Sequence, residues 1–200
     1  MLVIRLVVVA LASLLCVQSF AQPAARRVRG EVTAIDGLKL QVLTRNGEAI
    51  AIDLDDKYTV TGIAKIDLAS IKRGSYVGTA TMPQPDGTER ALEVLVFPES
   101  GRGSGEGHYP WDLQPGSMMT NATVAQIVAV GKDRRMTLKY KDGETVVFVP
   151  RNVPIVTFEP ADRAMLKTGA HLMLSATPRP DGSLTAARVF VGKDGIVPPM

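Results

Sequence analysis

The residues that could do chemistry are few. The chain of 200 residues holds two histidines, His108 and His171, and one cysteine, Cys16. A metal site needs several His, Cys or carboxylate ligands that converge. His171 alternates with Leu172 and Leu174, the pattern of a surface or hydrogen-bonded histidine on a strand. His108 lies near Glu106 and Asp112, a set too small to assign as hard-metal ligands. Ser104 stands between Gly103 and Gly105, but a nucleophile elbow needs glycines two residues to either side, where Arg102 and Glu106 stand. The run Gly101, Gly103, Gly105, Gly107 is only superficially like a dinucleotide loop and lacks the helix that would present its N-terminus to phosphate, since His108-Tyr109-Pro110-Trp111 follows. No catalytic residue, no metal ligand and no cofactor is expected.

One stretch is unusual for a connection. Residues 108–119 gather the only tryptophan, Tyr109, two prolines and two methionines. Aromatic side chains in a loop either pack between elements or meet a ligand or partner. His108, Tyr109, Trp111 and Asp112 are therefore the candidate ligand or partner contacts, and packing between two domains is the reading preferred for the segment.

The elements that would position these residues follow from alternation and turns. Val28, Gly30, Val32 and Ala34, then Leu38, Leu40 and Val42, have the period of half-buried strands flanking Asp36-Gly37. Asn46-Gly47 is a hairpin signal, leading into a strand through Ala49, Ala51 and Asp53. Asp67 to Ile71 reads as one short helical turn closed by Gly74, and two strands, Ser75–Met82 and Glu89–Phe97, flank the turn Pro85-Asp86-Gly87. Displacing the chain by about 95 residues superimposes these landmarks on a second set. Lys72-Arg73-Gly74 meets Lys167-Thr168-Gly169, and Pro85-Asp86-Gly87 meets Pro180-Asp181-Gly182. Pro160 and Ala161–Lys167 supply the second short helix.

Three strands, a short helix and two strands form the element order of an oligonucleotide/oligosaccharide-binding (OB) barrel. The fold expected is mainly β: two tandem small OB-like five-stranded barrels, each with one short helix, after an N-terminal signal peptide. The boundaries are 1–21 for the signal, 22–98 and 121–193 for the barrels, 99–120 for a linker that is glycine-rich and mobile in its first half, and 194–200 for a tail. Val28-Arg29-Gly30-Glu31-Val32, Lys72-Arg73-Gly74 and Asp181-Gly182 with Ala186-Ala187-Arg188-Val189 resemble an uncharacterised bacterial family of exported proteins with small OB-like β-barrel repeats. The resemblance implies fold and export and brings no functional residues with it.

Export is also read directly. Arg5, the apolar run Leu6–Val17, and Ser19 and Ala21 before Gln22 have the plan of a cleaved secretory signal, too short in its apolar part for a spanning helix. Cleavage would remove Cys16 and lower the formal charge from +3 to +2. The start at Arg26, Arg27 and Arg29 reads as a solvated basic tail. Balanced charge and sparse aromatics argue against nucleic acid, which needs a basic groove with stacking rings. The sequence thus predicts a periplasmic or secreted, non-enzymatic binding or assembly module of the cell envelope. An envelope protein or an oligosaccharide is the partner class, with no stable membrane span after cleavage. An accessory protein of a metal or solute transport system is the alternative, and a carboxylate-dependent hydrolase the third reading.

Overall fold

The computed structural model describes residues 24–199, so the expected signal and Cys16 lie outside the described residues. Thirteen strands form one continuous sheet. They are β1 (Arg26–Asp36), β2 (Lys39–Thr44), β3 (Ala49–Lys65), β4 (Tyr76–Pro83), β5 (Glu89–Ala91), β6 (Val94–Val96), β7 (Gly107–Pro110), β8 (Met118–Val130), β9 (Asp133–Tyr140), β10 (Gly143–Val149), β11 (Ile155–Pro160), β12 (His171–Pro178) and β13 (Leu184–Gly192). The turns read from sequence hold: Gly47 has a φ of 80° in the β2–β3 hairpin, a conformation that glycine adopts without steric cost. The expected short helices are 3₁₀ turns of three residues, Leu68–Ser70 and Arg163–Met165. Pro160, expected in the first turn of the second helix, ends β11 instead. Asp162 caps the second 3₁₀ turn by accepting from the Ala164 N–H at 2.7 Å, whereas Asp67 makes no such bond.

Strand pairing departs from two tandem domains. β1 pairs with β2, β2 with β3, β3 with β13, β13 with β12, and β12 returns to β1, which closes a five-stranded barrel. Three of its strands come from the expected first domain, 22–98, and two from the expected second, 121–193. The sheet continues from β3 through β11, β6, β4, β5, β10, β9, β8 and β7, and β4 also pairs with β8, so that β8, β9, β10, β5 and β4 form a second ring of pairings. The cause lies in β3, whose 17 residues run beyond its hairpin with β2, so that its last part pairs with β11. That pairing is centred on Ile63 opposite Phe158.

Alternation fills each ring. Val28, Val32, Leu40, Val42, Ile52, Leu172, Leu174 and Val189 point inward in the first, and Leu166 of the second 3₁₀ turn belongs to the same core. Val77, Val94, Val124, Met136, Leu138 and Val147 fill the other, against Ile66 and Leu68. A third cluster joins them: Ile63, Leu95 and Val156, flanked by the partly buried Phe97, Phe158, Met173 and Phe190.

Candidate functional site

Part of the segment read as a linker is built into the sheet. β7 pairs with β8 in the register His108–Thr120 and Tyr109–Met119. Its glycine-rich start, expected to be mobile, is tied down: Arg102 donates to the Gly74 carbonyl at 3.0 Å, the Tyr76 hydroxyl to the Ser104 carbonyl at 3.1 Å, and Asn121 Nδ2 to the Gly105 carbonyl at 3.1 Å.

The four candidate residues separate into two groups. His108 Nδ1 is 2.8 Å from Thr120 Oγ1, its Nε2 is 3.9 Å from Glu89, and its ring stacks on Tyr140. His108 is thus a hydrogen-bonded histidine on β7, apart from the other three candidates. Tyr109, Trp111 and Asp112 converge elsewhere, on β1. The Arg27 guanidinium lies 3.8 Å above the Trp111 ring, a cation–π contact, and the Tyr109 ring meets the same indole at 6.1 Å. Asp112 pairs with Arg29 at 2.7 Å and Arg27 at 3.2 Å. Burial raises the Asp112 pKa, but the bonds and charges of the two arginines outweigh it and hold the carboxyl below its ordinary range. The basic start is therefore no solvated tail: Arg27 and Arg29 are strand residues that anchor the Trp111 loop.

Trp111 forms one wall of a cleft where the two rings meet. The pocket, about 260 Å³, is lined by Leu95, Phe97, Phe158, Phe190, Met119 and Met173, with Arg27, Arg188, Asn121 and Ser175 among its polar groups. β13, β3, β11 and β6 lie side by side. This brings Phe190, Phe158 and Phe97 together, with ring centroids 4.9 Å and 5.7 Å apart, and Tyr76 extends the series at 5.3 Å. Gly78 makes room for it, since a Cβ there would fall 2.5 Å from Asn121 Oδ1 and 3.1 Å from the Phe97 ring. A more open hollow of about 570 Å³ shares Phe97, Phe158, Phe190 and Arg188 and continues to Thr59 and Thr61. The Trp111 Nε1 is buried without an acceptor.

Of the cleft's residues only Trp111 was singled out from sequence. Phe97, Phe158 and Phe190 are ordinary strand-forming residues in the chain, and their convergence depends on the crossed pairing. Arg188 had a weak signal as the one charge in Ala186-Ala187-Arg188-Val189. The position displaced by about 95 residues from it is Glu93, which is fully buried; its Oε1 accepts from the Ala80 N–H at 2.8 Å and its Oε2 has no partner. Burial pushes this carboxyl up to about 8, against the Ala80 N–H and the Arg29 charge. Among the described residues no three His, Cys, Asp or Glu side chains come together as metal ligands. Compared with family models, curated proteins and solved structures, the chain finds no match.

Proposed function

We propose that the chain is an exported, non-enzymatic binding module of the cell envelope, built from two OB-type barrels that exchange their last two strands and hold a ligand in the cleft between them. The strand order of the closed ring, first-second-third-fifth-fourth and back to the first, is that of an OB barrel when β12 and β13 are taken as the fourth and fifth strands. Duplication of one ancestral barrel accounts for the matching elements in the two halves. Export rests on residues 1–21.

The observation that carries the binding reading is the cleft itself. A concave, mostly apolar pocket with a few converging polar groups is the usual form of a ligand site. Here three phenylalanines, the sole tryptophan and two guanidinium groups line one space. Catalysis would need a nucleophile or acid–base pair held in mutual reach. The one strongly perturbed carboxyl, Glu93, is instead sealed in the interior.

A photocrosslinking side chain at Ser175, in the cleft, should capture a ligand or partner from an envelope extract, whereas one at Lys141, in the β9–β10 turn, should not. Equal capture at both positions, or none at Ser175, would overturn the reading.

A further inference from the structure

Arg188 is the charged residue of the cleft whose side chain is not engaged by other described residues. The register of β13 against β3 jumps from Ala186–Leu54 to Arg188–Thr59, an irregularity of the kind that re-aims a side chain. Arg188 lines three adjoining hollows: the pocket with Trp111, the hollow reaching Thr59 and Thr61, and a further one with Ser175 and Thr185. Among the described residues it makes no hydrogen bond and no ion pair. The two carboxylates nearby are engaged elsewhere, Glu159 by Lys193 at 2.9 Å and Asp55 by the Thr185 hydroxyl at 2.9 Å. Beside it runs the Phe190–Phe158–Phe97 series.

Resting on the binding reading above, we propose that the cleft takes a small anionic amphiphile, an apolar body with one carboxylate, the carboxylate on Arg188 and the body along the three phenylalanines toward Trp111. A lone guanidinium fork matches a planar carboxylate with two parallel N–H donors. A phosphate dianion would call for a second uncommitted cation, and Arg27 is committed to Asp112 and the indole face. A peptide added as a strand would need a free sheet edge. β1, β3, β6, β8, β11, β12 and β13, which line the cleft and its open hollow, are each paired on both sides, and the edge strand β7 contributes no residue to the lining. The site therefore offers apolar area and one charge, and no main-chain ladder.

The test uses the mature chain from Gln22, titrated below micellar concentration with decanoate, decyltrimethylammonium and acetate. Emission of Trp111, the sole tryptophan, is the readout. Decanoate is expected to give a saturable change that neither the cation with the same tail nor the anion without one reproduces. Arg188→Gln should weaken decanoate binding by about tenfold or more, the loss of a charge-assisted pair, with an unchanged melting temperature because the Arg188 side chain has no hydrogen-bond or ion-pair partner among the described residues. Arg188→Lys should fall between. Equal responses to both decyl compounds, or decanoate affinity unaffected by Arg188→Gln, would overturn the proposal. If decanoate fails while Ser175 still captures an envelope component, the ligand class falls and the binding module stands. If both fail, both readings fall.

Discussion

Glu93 is where a single side chain most strongly couples this fold to its surroundings. An ordinary glutamate is ionised at neutral pH, but one with no solvent exposure and a single N–H partner keeps its proton up to about pH 8. The unfolded chain releases that proton near the ordinary glutamate value of 4.5. Between those values the folded state binds the extra proton, so the contribution to stability is full at the acid end of the window and is lost as pH rises through it. Glu93→Gln, which keeps an oxygen for the Ala80 N–H and removes the ionisation, should flatten the decline. Melting temperatures of both proteins measured from about pH 4.5 to 8 check this, and parallel curves would refute it. Nothing in the sequence marked Glu93, because a lone glutamate between Leu92 and Val94 has the alternation of an outward strand residue. The break between β5 and β6 falls there, and the carboxyl is enclosed. Trp111 was legible for the opposite reason, a large aromatic in a connection with no periodicity to absorb it.

The strands and turns were readable at the level of elements because their signals are local. Alternation placed β1, β2 and β12, the Pro85-Asp86-Gly87 turn placed β4, and the Asn46-Gly47 pair placed the β2–β3 hairpin. The glycine-rich stretch misled, since composition reports backbone freedom, whereas Tyr76 and Asn121 hold this one from outside it and its own Arg102 ties it to the Gly74 carbonyl. Gly30, part of the opening motif on β1, has a structural cause that only the pairing supplies. A Cβ at this position would fall 2.2 Å from the Leu43 carbonyl oxygen on the paired strand β2. Backbone cannot yield as a side-chain tip can, so Gly30→Ala should destabilise the protein by about 1–3 kcal/mol, the usual range for overpacking. Chemical denaturation measures it, and a loss within a few tenths of a kcal/mol would mean that β1 and β2 separate freely at that point.

Which strands close which ring is a property of the whole molecule, and it was not legible. β4–β5 and β12–β13 flank matching turns, Pro85-Asp86-Gly87 and Pro180-Asp181-Gly182, so the turn signals let either pair complete the first barrel. The difference lies in the route taken after β3 and β11, which pair with each other across Ile63 and Phe158 instead of folding back. That antiparallel bridge makes the two routes equivalent: one leads to the ring of the other half, and so must the other. The cleft follows from it, because the bridge sets β13, β3, β11 and β6 side by side. The exchange can be read through pairs of introduced cysteines. Glu31 lies opposite His171 in the β1–β12 pairing, whereas closure of the first half on itself would set it opposite Tyr76, the residue displaced from His171 by about 95 positions. Paired residues on adjacent antiparallel strands lie within disulfide reach. In a chain begun at Gln22, which leaves out Cys16, Glu31→Cys with His171→Cys should oxidise to a disulfide within one monomer, and Glu31→Cys with Tyr76→Cys should stay reduced. Oxidation of the second pair alone would mean two self-closed barrels and no shared cleft, while linkage of the first pair only as a covalent dimer would place the exchange between two chains.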